Sequence, residues 1–388
     1  MSASPAPPTQ PAAPFGAPAS GAGPLAGIRV IEMGHSVAAP YAALVLSELG
    51  AEVTKIERPG EGDPCRGWGP PFADGQASLF MALNRGKASR AFDLRSDAAR
   101  AELRALVLDA DVVIQNLKPG QAEEMGFGAA ELCAANPRLI HASIGAFGAT
   151  GPLRDRPGYD PLMQAFSGIM NVTGEMGRPP VRVGTSIIDM GAGMWLVTGI
   201  TTALYRREQT GRGGSVDTSL LEVAMGWMTY HVTNHSASGE EPKREGSGAA
   251  MIVPYQVFST ADGEAVVGAG NDNLFRRLAR LLGHPEWCDD PRYATNPARV
   301  ANREALNARI QALLLARGNA AWEALFVEAG VPFTPVQGVA QAVAHPQVQA
   351  LGMVRQTEQG IRFVDLPISF DGVRPASGRT RTPAVGQG

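Results

Sequence analysis

The stretch Ile28–Glu57, IRVIEMGHSVAAPYAALVLSELGAEVTKIE, decides the fold. A β-branched run, Ile28–Met33, stops at Gly34. A helical stretch follows from Pro40 to Leu49, and a second strand reads over Glu52–Glu57. This is a βαβ unit, and it sets the pattern for what comes after. A helix over Asp97–Leu108 leads into a strand at Asp111–Gln115, and a helix near Ala129–Ala135 leads into a strand at Arg138–Ile144. Such alternation implies an α/β domain built on a parallel sheet with right-handed crossovers. Ligands on such sheets bind at the carboxyl ends of the strands, so the segments after Met33, Glu57, Gln115 and Ile144 are expected to meet at one crevice.

Further along, Asp189–Gln209 reads as a long helix closed by Gly211-Arg212-Gly213-Gly214, with a last strand at Ser215–Thr218. The pattern then changes. Leu220–His235 reads as a helix, Ser236–Ala250 as a polar loop, and Val253–Gly268 as a hairpin turning at Ala261-Asp262-Gly263. Helices follow at Asn273–Leu282, Asn302–Arg317 and Asn319–Ala329, and short strands beyond Pro335. The expected organisation is a leader over 1–23, a large Rossmann-like domain over 24–218, a linker and small α+β domain over 219–335, and a C-terminal segment, 336–388, returning to the large domain. The leader is nearly all Ala, Pro, Ser and Gly and cannot bury enough apolar area to offset the entropy of ordering it.

Composition narrows the classes. The 388 residues suit two domains at roughly 100–200 residues each. With 44% hydrophobic and 18% charged residues and a net charge of −3, the chain is globular, and a nucleic-acid surface or polybasic membrane anchor is disfavoured. Met194–Tyr205 is the longest apolar candidate and is interrupted by Gly199 and three Thr, short of the ~18 residues a spanning helix needs. Cys65, Cys133 and Cys288 are widely separated, which fits a reducing cytoplasmic setting.

Several chemistries lose their motifs. The six histidines form no ligand cluster, so no metal is expected. Gly34-His35-Ser36-Val37-Ala38-Ala39-Pro40 carries one glycine where a dinucleotide site needs G-x-G-x-x-G. There is neither a P-loop nor a G-x-S-x-G elbow.

Segments spread along the chain resemble the class III coenzyme A transferases, a family that includes formyl-CoA transferase and carnitine CoA-transferase. They are Pro24–Glu32, Leu49–Glu57, Asn84-Arg85-Gly86-Lys87, Asp111–Gly120, Pro157-Gly158-Tyr159-Asp160, Asp189-Met190 and Thr210–Gly213. In the second half, Val253-Pro254-Tyr255, Ala269–Asp272 and Asp289–Tyr293 also match. The resemblance implies transfer of coenzyme A from an acyl-CoA, such as succinyl-CoA, to a free carboxylic acid, in an interlocked homodimer. Coenzyme A serves as substrate, with no permanently bound cofactor.

By resemblance the catalytic carboxylate is Asp189. On local grounds alone Asp189 reads as an N-cap of the long helix, and the two roles are compatible, because a helix N-terminus favours a negative side chain. Coenzyme A contacts implied by the family fall on Val37, Ala38, Arg58, Phe92, Asp93, Leu94, Arg95, Asn116, Leu117, Lys118 and Asp160. Arg58 and Arg95 are expected at phosphates, Phe92 and Leu94 beside the adenine. Gly246-Ser247-Gly248 are the expected oxyanion donors, and Arg178, Arg182, Lys243 and Arg244 the cations available for a second substrate carboxylate. Glu124, Gly145 and Ala249 depart from the family pattern: Arg is common at the first position, Lys occurs at the second in formyl-CoA transferase, and many relatives have His at the third.

Two rivals share the resemblance. A 2-methylacyl-CoA racemase works by α-proton transfer with a His and an Asp, and its relatives carry His where this chain has Tyr159. A non-catalytic acyl-CoA-binding protein is the other, and the intact Asp189 argues against it.

Overall fold

The computed structural model describes residues 23–375 and 378–387, and the leader read over 1–23 lies, Gly23 apart, outside them. The chain divides into two compact units. One contains residues up to Tyr159, Ser186–Val223 and the chain from Met353 onward; the other contains Asp160–Thr185 and Ala224–Gly352. The division differs from the sequence boundaries in three places, the first being that 219–223 stay with the sheet-bearing unit. Residues 160–185 leave the sheet-bearing unit, and the return to it begins at Met353.

The first unit carries a six-stranded parallel sheet. Its elements run β1 (Arg29–Met33), α1 (Ala38–Glu48), β2 (Glu52–Glu57), β3 (Ala88–Ala91), α2 (Asp97–Asp109), β4 (Val112–Gln115), α3 (Ala129–Ala135), β5 (Ile140–Gly145), α4 (Ile187–Thr210) and β6 (Gly214–Ser219). The order across the sheet is β3-β2-β1-β4-β5-β6. In this doubly wound arrangement the connections leave β1 in one direction and β4 in the other, which opens a crevice beyond the carboxyl ends of β1 and β4. β3 was missed in the sequence because Ala88-Ser89-Arg90-Ala91 contains no β-branched residue. Pairing with β2 holds it in place.

α4 is longer than its sequence reading. It has 24 residues and contains an 18-residue window of mean hydropathy 1.4, long and apolar enough to cross a bilayer by length and composition, unlike the shorter run Met194–Tyr205. Here it is a core helix: Leu196, Ile200, Ala203 and Leu204 are buried. Two glycines let it sit close to its neighbours. A Cβ on Gly193 would lie 2.8 Å from the Ala38 carbonyl oxygen and 3.1 Å from the Ala42 nitrogen, and one on Gly199 would meet Val216 Cγ1 at 2.4 Å. The cap also differs from expectation. Ser186 is the N-cap and Asp189 lies inside the first turn.

The chain from Met353 onward closes against the outer edge of β3. Ser89 N–H donates to the Gln387 carbonyl (2.9 Å) and Gly86 N–H to the Arg381 carbonyl (2.9 Å), while Gly386 N–H donates to Ser89 Oγ (3.0 Å). An exposed strand edge is thereby covered.

The second unit packs α5 (Asp272–Leu281), α6 (Arg303–Leu314) and α7 (Asn319–Ala329) with an antiparallel sheet of β7 (Tyr255–Ser259), β8 (Glu264–Gly268) and β9 (Phe333–Pro335). Its core centres on Phe258, Phe275, Trp287, Tyr293, Trp322 and Phe326. Leu220–His235, read as one helix, is two, Leu220–Trp227 and Thr229–Ser238. Residues beyond Pro335 include the short helices Val339–Ala344 and Pro346–Ala350 before any further strand.

Candidate active site

The crevice starts at the turn that takes β1 into α1. Asn116, just past β4, clamps this turn: its Oδ1 accepts from His35 N–H and its Nδ2 donates to the His35 carbonyl, both at 3.0 Å. Gly34 has no room for a side chain, since a Cβ there would lie 2.4 Å from the Ala39 Cβ. Ser36 is left-handed, at φ 69°, a conformation that is uncommon for a non-glycine residue. The Asp63 carboxylate stabilises it by accepting from Ser36 N–H at 3.1 and 3.2 Å, and it also accepts from Cys65 N–H at 3.0 Å. Burial raises the Asp63 carboxyl, but the Lys55 ammonium and these N–H groups outweigh burial and hold it below its usual value.

Asp189 is half-buried in the first turn of α4. The next turn contains Gly191, Ala192 and Gly193, all buried, and it is these small residues that bring α4 onto the backbone of Ala38 at the start of α1. The catalytic candidate therefore sits one helical turn before the contact with the β1–α1 turn. A carboxylate in a first helical turn is favoured by the unpaired N–H groups of that end.

The remaining sequence-derived residues of the first unit lie on the loops after β1, β2, β3 and β4. Val37 and Ala38 have buried side chains, so a ligand there meets backbone. Arg58 and Lys118 are exposed, and Arg58 has only a 4.0 Å approach to Glu61. Arg95 is exposed and paired to Asp93 through bonds of 2.8 and 3.0 Å, which lowers the Asp93 carboxyl. Leu117 is half-buried. Phe92 departs from its expected role beside an adenine. Its ring is 6% exposed and packs in the core with Ile31, Met33 and Ile56, and Leu94 is half-buried against the same cluster.

Asp160 belongs to the second unit. It is 2% exposed, begins the helix Asp160–Phe166 and accepts from Gln164 Nε2 at 2.5 Å; Gln164 Oε1 in turn accepts from Val183 N–H at 2.8 Å. The expected oxyanion donors are also in this unit, and two are already engaged. Gly246 N–H donates to the Gly174 carbonyl and Gly248 N–H to the Glu245 carbonyl, each at 2.9 Å. The amide of Ala249 likewise donates to the Tyr255 carbonyl at 3.2 Å. Arg178 and Arg244 converge on Glu175, the first at 3.9 Å from its carboxylate and the second at 3.2 Å from its carbonyl.

Sequence reasoning missed the ionisable residues behind the crevice, Glu32, Lys55, Asp63 and Lys87. The signal was present: central strands of a parallel sheet read as continuous apolar runs, and RVIEM and VTKIE each interrupt theirs with a charge. Glu32 and Lys55 are register partners across β1 and β2.

Comparison with known proteins gives one consistent result. The family model for CoA-transferase family III matches residues 25–388. An acetyl-CoA:oxalate CoA-transferase of Acetobacter aceti is 38% identical over 369 residues, 95% of this chain and 94% of that protein. A succinate–glutarate CoA-transferase of Agrobacterium fabrum is 40% identical over 85% of this chain and 84% of its own length. The crystal structure of a CAIB/BAIF family protein from Brucella suis superposes with a TM-score of 0.84 at 40% identity, covering 94% of this chain and 97% of that one.

Proposed function

The chain belongs to CoA-transferase family III, and from that premise we propose that it moves coenzyme A from an acyl-CoA to a free dicarboxylic acid through a thioester on Asp189. The Asp189 carboxylate attacks the donor thioester carbonyl, the C–S bond breaks, and a mixed anhydride and coenzyme A thiolate result. The thiolate attacks the aspartyl carbonyl of the anhydride, forming the aspartyl-CoA thioester and releasing the donor acid. The acceptor carboxylate then attacks that thioester, and the same two steps in reverse regenerate Asp189 and release the new acyl-CoA. Each covalent step divides one difficult exchange into easier ones.

The observation that carries this reading is the position of Asp189, in the first turn of a helix whose glycines bring it onto Ala38 beside the switch-point crevice. In this reading coenzyme A lies along the strand ends. Val37, Ala38, Asp93, Leu94, Asn116 and Leu117 line its path, and Arg58, Arg95 and Lys118 answer its phosphates. Dicarboxylic acceptors follow from the oxalate and glutarate named in the relatives. The enzyme acts as a homodimer, since Met194, Trp195 and Tyr205 leave an apolar stripe of α4 exposed. It works in the cytoplasm, with its three cysteines as free thiols.

The test is a screen of succinyl-CoA and acetyl-CoA against oxalate, glutarate and related acids. Acceptor-dependent formation of a new acyl-CoA is expected, with ping-pong kinetics. Asp189→Asn should lower kcat by at least 10³-fold, on the order of losing a nucleophile. Hydroxylamine added with acyl-CoA should modify Asp189 in the wild type. Turnover retained in Asp189→Asn would remove Asp189 as the nucleophile, and α-proton exchange of a 2-methylacyl-CoA in deuterated water without an acceptor would move the reading to a racemase.

A further inference from the structure

Two lysines, Lys55 within β2 and Lys87 just before β3, have wholly buried side chains where apolar ones ordinarily stand. Each ammonium has three N–H donors and meets three oxygens. Lys55 donates to Glu32 Oε1 (2.7 Å) and the Gly34 carbonyl (2.9 Å) and forms an ion pair with Asp63 Oδ2 (2.8 Å). Lys87 donates to Glu32 Oε2 (2.7 Å), Asn84 Oδ1 (2.9 Å) and the Pro40 carbonyl (2.8 Å). Glu32 joins the two tripods, one oxygen to each.

Stability is a weak explanation for this cluster. Desolvation cancels much of the attraction in a buried ion pair, and apolar residues of similar volume often serve as well. Long-range attraction is no better an explanation, because two ammonium groups face two carboxylates. What distinguishes the cluster is where its remaining donors point. Both lysines reach main-chain carbonyls of one short segment, Gly34 at its start and Pro40 in the first turn of α1, while Asn116 takes the carbonyl of His35 between them. Carbonyl oxygens repel phosphate and N–H groups attract it, so a segment whose carbonyls are tied inward suits an anion.

We propose that Lys55 and Lys87, joined through Glu32, are positioning residues for coenzyme A binding: they draw the Gly34 and Pro40 carbonyls inward and fix the β1–α1 turn in the form that accepts a phosphate. The inference rests on the reading that coenzyme A is received at this turn. The two lysines differ in electrostatic setting. Burial lowers both, yet Lys55 touches Glu32 and Asp63 and is held above its ordinary value, whereas Lys87 touches only one carboxylate, Glu32, is opposed by the Lys55 ammonium, and is pushed down to about 8.

The experiment is calorimetry with coenzyme A, together with steady-state kinetics on succinyl-CoA, for the full-length wild type, Lys55→Met, Lys87→Met and the isosteric Glu32→Gln. A Kd at least tenfold weaker is expected in each variant that folds, with KM for the acyl-CoA rising in step and kcat falling less than threefold. A folded variant with unchanged Kd, or one losing Kd and kcat in equal proportion, would overturn the proposal. Hydrogen exchange on the wild type decides the matter independently of any variant. The amides of His35 and Ser36 should be protected before coenzyme A is added, and free exchange until it is added would overturn pre-positioning. The same experiment separates the underlying reading: coenzyme A should slow exchange at 57–61 and 116–118, and binding that slows neither places the ligand elsewhere, whatever the lysines do.

Discussion

Asp63 holds its charge against burial because Lys55 lies 2.8 Å away and the amides of Ser36 and Cys65 point at it. Its folded pKa lies below its ordinary value of 3.8, so its contribution to stability is complete above that value and is lost as pH falls through the lower, folded value. Asp63→Asn should therefore cost about 3 kcal/mol at pH 7, the scale for breaking a buried pair from one side, and the gap to wild type should narrow as the pH is lowered below 3.8. Urea unfolding at a series of pH values measures both. A gap that stays constant with pH would assign the cost to geometry and not to charge. This residue also marks the limit of what the sequence discloses. Loop residues such as Arg58, Asn116 and Lys118 could be proposed from their places after predicted strands, whereas Asp63 gains its role from contacts across sequence separations of 8 to Lys55 and 27 to Ser36, which no local pattern announces.

α4 does two jobs through its glycines: it packs the sheet and it carries Asp189. Gly193→Ala would set a methyl group against the backbone of Ala38 and Ala42, which cannot retreat as a side-chain end can. The expected result is a loss of about 1–3 kcal/mol of stability, the usual cost of overpacking, with activity falling further than stability because the turn bearing Asp189 is displaced with the helix. Thermal melts and kcat on the same preparation check this. A variant of lower Tm and unaltered kcat would show that the helix moves without its first turn. At this scale the sequence was most legible where periodicity was strong: α1, β2, α3 and α7 lie within two residues of their readings. It was least legible where tertiary contacts define the element. β3 exists because β2 lies beside it, and the break at Met228 falls inside a run that local propensity would continue.

For the molecule as a whole, the exposed stripe of Met194, Trp195 and Tyr205 predicts that light scattering finds a mass of twice the chain, and that Trp195→Asp shifts it toward one chain. A wild-type monomer at micromolar concentration would contradict the proposed dimer. A C-terminal return to the sheet-bearing unit was expected, but the excursion over 160–185 was not, because a chain that leaves that unit after Tyr159 and rejoins it at Ser186 changes neither composition nor periodicity at the crossing. The cover over the edge of β3 has a consequence in time. Gly386 reaches Ser89 across 297 residues, so a nascent chain emerging from the ribosome completes β3 and then, at roughly 5–20 residues per second, waits about 15–60 s for the segment that shields it. During that interval an unpaired strand edge is open to any other chain nearby, and a message cut short before its last codons leaves it open for good. Ribosome-bound and prematurely terminated chains should accordingly be the forms that holdase chaperones capture, while released full-length protein escapes them.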